Sequence, residues 1–198
     1  MDKRIIGLYQ DYNSVIKPLI AEVEARTEHF PLPLFNEIRA LHDHISRCYS
    51  EGATNNTIEE EVVKAQRHSL RIMLDCYKYL NLTLHETVIL FERETRHIDL
   101  TVLQNGTFYP KYKEIRARAI KLVRQAKCEE PLDSVKALDT YQLSYNAYSE
   151  LEALIDGIYT DVHWARVRFS VRRGLSIFLW ILSAILSGII SIFLAKLF

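Results

Sequence analysis

The segment NEIRALHDHISR, residues 36–47, carries the residue types best suited to chemistry in this chain. Its Arg39 and His44 are separated by four residues. An arginine can hold a phosphate as a fixed cation, and a histidine can move protons near neutral pH. Such a pair can cleave RNA through attack by the 2′-OH, without a metal. On a regular helix, however, the two side chains lie about 140° apart. They converge only if the helix is distorted or if a second copy brings its own pair alongside.

A second polar set lies in the next helical segment. His68, Arg71 and Asp75 follow three- and four-residue steps, so they share one helix face. They can hydrogen-bond across to the preceding helix and tie a bundle together, or they can complete a site with Arg39 and His44. The structural network is the favoured interpretation, because ion-pair networks are common without a catalytic role. The spacing of the histidines is not typical of a metal site. We therefore expect neither a metal nor a cofactor.

The elements that position these residues are predicted to be helices throughout. The chain has 198 residues with only six Gly and five Pro, which favours long helices over a turn-rich β fold. We expect helices over about 3–29, 34–49, 57–103 and 112–127, and a fifth beginning after Pro131 and continuing towards the C-terminus. Pro18 is expected to kink the first helix. Thr57 and Glu60 match a capping box at the start of the third. The fold class is therefore predicted to be all-α, an antiparallel helical bundle.

The fourth predicted helix is strongly basic. Its cations can form a solvent-exposed face, bind RNA phosphates or contact anionic lipid headgroups. A solvent-exposed face is the usual explanation for such a charge run. They are Lys111, Lys113, Arg116, Arg118, Lys121, Arg124 and Lys127. The net charge of the whole chain is zero, so any nucleic-acid interaction would have to be local.

An uncharged run, LSIFLWILSAILSGIISIFLA, occupies residues 175–195. At about 1.5 Å per residue, a helix of this length spans roughly 31 Å, the thickness of a bilayer's hydrocarbon core. Arginines precede the run, whereas only Lys196 follows it, so we expect the N-terminal part to be cytoplasmic. Residues 1–173 are thus predicted to form a cytoplasmic helical bundle. Residues 174–198 are predicted to form a single-pass C-terminal membrane anchor, with Gly174 as a joint or within one unbroken helix.

Small residues form a stripe along this run. Small, weakly polar stripes let membrane helices approach one another closely, so the stripe predicts a homo-oligomer. One transmembrane helix cannot enclose a pore, so conduction would require a ring of copies lined by this stripe. Its members are Ser176, Ser183, Ala184, Ser187, Gly188 and Ser191.

The Arg39–His44 motif, followed by KAQRHSLRIMLDCYK in the next helix and by the membrane run, resembles a known family. It is similar to the HEPN-like membrane accessory proteins of type VI-B CRISPR systems. The resemblance implies a HEPN-like bundle that forms an oligomeric pore in the bacterial inner membrane. It also implies a role in antiviral defence, strengthening immunity by the RNA-guided RNA nuclease Cas13b. The implied partners are the lipid bilayer, further copies of the chain, and RNA or Cas13b as activator.

Many HEPN proteins are metal-independent ribonucleases that act as dimers with a composite site. In catalytic members the residue after the arginine is usually polar, whereas this chain has Ala40. The departure favours a protein that is not an enzyme. Two alternatives stay open beside the pore: a membrane-tethered HEPN ribonuclease that uses Arg39 and His44, and a tail-anchored scaffold without catalytic activity.

Overall fold

A computed structural model describes the backbone of residues 2–197 and their side chains, except those of 168–170, 172–173 and 189–197. The elements in chain order are α1 (Lys3–Asp11), a π-helical turn (Tyr12–Ile16), α2 (Lys17–Thr27), α3 (Leu32–Arg47), α4 (Asn55–Thr95), a 3₁₀ segment (Leu100–Gly106), α5 (Phe108–Glu129), α6 (Ser134–Asp156) and α7 (Tyr159–Leu197). Every regular element in the described backbone is a helix, which confirms the all-α prediction.

Pro18 shapes the N-terminal segment without breaking it. A proline has no N–H to donate and its ring collides with the carbonyl one turn earlier. Here one helical turn contains an extra residue, so that the Lys17 N–H donates to the Tyr12 carbonyl five residues earlier. The predicted kinked helix is therefore three consecutive helical segments, joined through a π-helical turn.

The limits of α4 differ from the prediction at both ends. The Thr54 hydroxyl accepts a hydrogen bond from the Thr57 N–H at 3.2 Å, so the helix begins at Asn55 and Thr57 lies inside its first turn. At the other end the helix stops at Thr95, well before the expected residue 103. The Asp99 carboxylate instead accepts the Thr101 N–H at 3.0 Å and begins the 3₁₀ segment.

Two glycines near the C-terminus behave differently from each other. Gly157 lies between α6 and α7, where the predicted fifth helix divides in two. Gly174 lies inside α7, whose backbone is helical on both sides of it. The alternative of an unbroken helix through Gly174 is therefore confirmed.

The chain divides into two compact units. The first contains Met1–Leu90 and Lys113–Ala153. Its buried core draws apolar side chains from α1 through α6, among them Ile5, Val23, Leu34, Leu41, Ile72, Leu80 and Tyr141. Two hydrogen bonds join α3 to α4, one between His68 and Glu37 and the other between His44 and Glu61, and this pairing shows that the two helices are antiparallel neighbours.

The second unit contains Phe91–Tyr112 and Leu154–Phe198. Three aromatic rings pack together inside it: Phe91 contacts Phe108 and Tyr112 at centroid distances of 6.2 and 5.6 Å. The Tyr112 hydroxyl donates to Glu92 at 2.9 Å. Aromatic contacts of this kind add to the stability gained from apolar burial.

None of the helices, over the residues described, combines the length and apolar character needed to cross a membrane. The predicted run 175–195 continues past Gly188 into residues whose side chains, including that of Ser191, lie outside the described part.

Candidate functional site

Two histidines and two glutamates meet where α3 packs against α4. Glu37 and His44 are seven residues apart on α3, and Glu61 and His68 are seven residues apart on α4. Seven residues is close to two helical turns, so each pair shares a face of its helix. Because the helices are antiparallel, each glutamate faces the histidine of the other helix.

The contacts of this cluster are reciprocal. His44 Nδ1 lies 2.7 Å from Glu61 Oε2, and His68 Nδ1 lies 2.6 Å from Glu37 Oε2. The two imidazoles stack between these pairs, with ring centroids 5.1 Å apart and planes inclined by 21°. We call this four-residue arrangement the histidine cluster. It ties α3 to α4 through two charge-assisted contacts and one ring contact.

Glu61 accepts hydrogen bonds from two basic side chains. Hydrogen bonds from Lys64, at 2.6 Å, and from His44 lower the pKa of the Glu61 carboxyl from its ordinary 4.5 to about 2, although its side chain is only 8% exposed. Glu61 is therefore ionised at neutral pH. An ionised carboxylate only accepts hydrogen bonds, so His44 donates through Nδ1 and its Nε2 is left to accept or release a proton.

The second nitrogen of each imidazole, Nε2, is the atom available for proton transfer. Within the described residues, Nε2 of His44 and of His68 has no hydrogen-bond partner. The two side chains are 15% and 18% exposed, so they are reachable from solvent yet held in place. The stacked rings therefore bring two groups capable of proton transfer to one site. One acid beside one base is the arrangement that general acid–base catalysis needs.

Arg39 is not brought to the histidine cluster. It is exposed on α3 and, in the described part of the chain, forms no hydrogen bond or ion pair. Because α3 is regular over Leu32–Arg47, the expected 140° between Arg39 and His44 holds within this chain. Arg47 does approach the cluster: its Nη1 lies 3.8 Å from Glu61, while its Nη2 binds Asp43 at 2.5 Å.

The other residues of the predicted network, Arg71 and Asp75, are not part of the histidine cluster. His68 does hydrogen-bond across to α3, as the network interpretation expects, but Arg71 is exposed and Asp75 pairs with Lys78 at 3.2 Å. His42 packs against the rings of Tyr9 and Tyr12 and is not part of the cluster. No group of three or more His, Cys, Asp or Glu side chains in the described structure is placed to hold a metal ion.

Neither glutamate of the histidine cluster was among the predicted site residues. The available signal was a Glu-x₆-His spacing that occurs in both segments, as Glu37…His44 and as Glu61…His68. Two such segments in antiparallel helices match each glutamate with a histidine. The Arg39–His44 spacing lies within one helix, whereas the cluster depends on matching spacings in two helices.

The small-residue stripe lies on α7 in the second unit. Ser176, Ser183, Ala184, Ser187 and Gly188 are all exposed. A Cβ added at Gly188 would meet nothing within 4 Å. The stripe is thus open to another chain or to lipid along its described length, and its sixth member, Ser191, falls among the side chains not described.

The chain matches no protein-family model, no curated protein and no solved structure. Its function is therefore inferred from the geometry of the histidine cluster and of α7.

The depressed pKa of Glu61 predicts a pH-dependent stability. Glu61→Gln is expected to lower the free energy of unfolding at pH 7 by about 2 kcal/mol, since hydrogen bonds to a charged group are lost. The folded-state pKa lies below the unfolded value. The stabilisation is therefore complete above pH 4.5 and is lost as the pH falls through about 2. Urea titrations of wild type and variant across this range should show their difference shrinking below pH 4.5.

The matched control for that experiment is Glu60→Gln, which removes an exposed carboxylate from the same turn of α4. Its effect should stay within about 0.5 kcal/mol at every pH, as for ordinary surface changes. An equal loss from Glu60→Gln, or a pH-independent loss from Glu61→Gln, would contradict the assigned role of the Glu61 carboxylate.

Proposed function

We propose that this chain is a membrane-anchored, self-associating protein whose α7 enters the bilayer. One observation supports this most directly. Nine large apolar side chains between Leu175 and Leu186 are each 41–74% exposed. Residues 174–188 contain no charge, and consecutive helix positions differ by about 100°, so the large apolar side chains cover most of the helix circumference outside the serine face. A surface of this kind is normally covered by lipid or by another protein.

The bilayer is the covering that best fits the length of the run. The described portion, 174–188, extends about 22 Å as a helix, and the continuation to Ala195 brings the uncharged run to roughly 31 Å. Arginines before the run and Lys196 after it support a cytoplasmic location for the residues that precede Gly174. We therefore propose a single-pass anchor in the bacterial inner membrane.

The finer part of the proposal concerns assembly and biological role. The exposed stripe of small residues supports contact between α7 helices of several copies. With the sequence resemblance to HEPN-like accessory proteins of type VI-B CRISPR systems, this favours an oligomeric pore. The pore would depolarise the inner membrane and strengthen antiviral defence by Cas13b.

Membrane insertion is tested by charged substitutions in α7. Ile181→Lys together with Ile185→Lys is expected to move the protein from the membrane pellet to the carbonate-extracted fraction. Each lysine near the middle of a span opposes insertion by about 3 kcal/mol. The measurement is carbonate extraction of bacterial membranes containing the full chain, followed by immunoblotting.

The control, Ile181→Leu with Ile185→Leu, changes the same positions and keeps them apolar. It should remain in the membrane pellet, as should wild type. If wild type is extracted by carbonate, or if the lysine variant stays embedded, α7 is not a membrane anchor.

A second function is favoured by the histidine cluster. Two imidazoles with free Nε2 atoms, each oriented by a carboxylate, can act as base and acid in metal-independent cleavage of RNA. This differs from the ribonuclease expected from the motif, because His68 takes the place that the resemblance assigns to Arg39.

A further inference from the structure

The first unit contains a cleft of about 690 Å³ that is separate from the histidine cluster. Three helices line it. From α4 come Lys78, Asn81, Leu82 and His85, which follow three- and four-residue steps on one face, and α5 and α6 complete the walls. Clefts of roughly 300–1,000 Å³ are the usual size for small-molecule sites.

The walls of the cleft suit a flat apolar body. Leu82, Ile120 and Val123 supply aliphatic surface, while Tyr141 and Tyr148 supply aromatic rings. Tyr141 is held by a hydrogen bond to Glu130 at 3.2 Å, and Tyr148 by one to His85 at 3.1 Å. Both tyrosines are almost fully buried, 1% and 2% exposed, so they form a fixed part of the cleft wall behind the more exposed aliphatic side chains.

A buried acceptor in the cleft is not satisfied. Asn81 is only 4% exposed, and its amide nitrogen donates to the carbonyls of Tyr77 and Tyr141 at 2.8 and 3.1 Å. Its Oδ1 accepts no hydrogen bond from any described group. Buried polar atoms normally have partners, and one without a partner in a cleft points to a donor supplied by a ligand or by water.

The charges of the cleft favour an anion. Its lining has three cations, Lys78, Arg124 and Lys127, against the single carboxylate of Glu130. Lys78 is already paired with Glu130 at 2.5 Å and with Asp75 at 3.2 Å. Arg124 and Lys127 are exposed and, among the described side chains, have no ion-pair partner. They lie three residues apart on α5, so both can reach one phosphate.

We propose that this cleft binds a nucleoside monophosphate. The heterocycle would lie against Leu82, Val123 and the tyrosine rings, and an amino group of the base would donate to Asn81 Oδ1. The phosphate would be held by Arg124 and Lys127. The proposal goes beyond the membrane function and does not depend on it, because every residue that it uses lies in the first unit.

The test is isothermal titration of the detergent-solubilised full chain with adenosine monophosphate. Wild type is expected to bind it, and Arg124→Gln with Lys127→Gln to weaken binding at least about tenfold, since charge-assisted hydrogen bonds to the phosphate are lost. The matched control is Lys111→Gln with Lys121→Gln, which removes the same charge from exposed α5 positions outside the cleft lining and should bind as wild type does.

Ligands that lack one part of the nucleotide test the contribution of each part of the cleft. Purine riboside monophosphate, which lacks the 6-amino group, should bind about tenfold more weakly if Asn81 receives a donor. Glycerol 3-phosphate, the anionic part of a lipid headgroup, should compete poorly. Absence of binding by the monophosphates of adenosine, guanosine, cytidine and uridine at millimolar concentration would overturn the proposal. It would also be overturned by equal loss in the control variant, or by glycerol 3-phosphate competing as well as a nucleotide.

Discussion

Ser187→Leu combined with Gly188→Leu is expected to reduce the detergent-solubilised protein from an assembly of about six or more copies to monomers or dimers. Small residues let helix backbones approach closely, and two leucine side chains would hold neighbouring α7 helices apart. Membrane insertion should not suffer, because leucine is among the residues that a bilayer accepts best. The expected change is therefore loss of assembly and loss of membrane depolarisation, with the anchor intact.

The measurements are the mass of the solubilised protein, corrected for bound detergent, and the membrane potential of cells that express it. Phe178→Leu with Ile185→Leu is the matched control, since it also introduces two leucines but at positions seven residues apart on the side of α7 opposite Ser183 and Ser187. It should leave both quantities unchanged. A wild-type monomer, or a stripe variant that assembles and depolarises as wild type does, would contradict self-association through the stripe.

Helix type and approximate position were predictable because they depend on neighbouring residues. Low glycine and proline content and apolar three-four spacing were enough to predict the helices, and the NEIRALHDHISR segment does form part of α3. The structure decides the points where two local solutions compete. Pro18 can be accommodated by a kink or by a wider turn, and the structure has the π-helical turn. Gly157 and Gly174 have the same backbone freedom, yet only Gly157 lies at a helix boundary.

The histidine cluster shows what sequence spacing leaves undetermined. The faces of α3 and α4 follow from their own periodicity, but the offset between the two helices depends on packing along their whole length. At the observed offset Glu37 faces His68 and Glu61 faces His44. A shift of one helix along the other by one turn would break both Glu–His pairs. The Arg39–His44 motif lies within one helix, and its 140° separation is a property of that helix alone.

The histidine cluster therefore makes a prediction different from that of the Arg39–His44 motif. If the chain cleaves RNA, one imidazole takes the proton of a 2′-OH, whose oxygen attacks the adjacent phosphorus. The other imidazole gives a proton to the departing 5′ oxygen. The products are a 2′,3′-cyclic phosphate and a 5′-OH end, and no metal is required. His44→Asn and His68→Asn are each expected to slow cleavage by about 10²- to 10⁴-fold, the usual contribution of a general acid or base.

Asparagine is chosen because its amide N–H can replace the Nδ1 donor, so the bonds to Glu61 and Glu37 persist while Nε2 is lost. Arg39→Ala and His42→Ala are the controls. Cleavage of a fluorescent single-stranded RNA in the presence of a chelator is the measurement. If the histidine cluster is catalytic, the Arg39→Ala variant should cleave RNA as fast as wild type does. If the Arg39–His44 motif is catalytic, the same variant should lose activity. If His68→Asn retains full activity, or wild type shows none, the imidazole pair serves only to hold α3 against α4. Circular dichroism of the Asn variants should match that of wild type. A loss of activity could then not be attributed to unfolding.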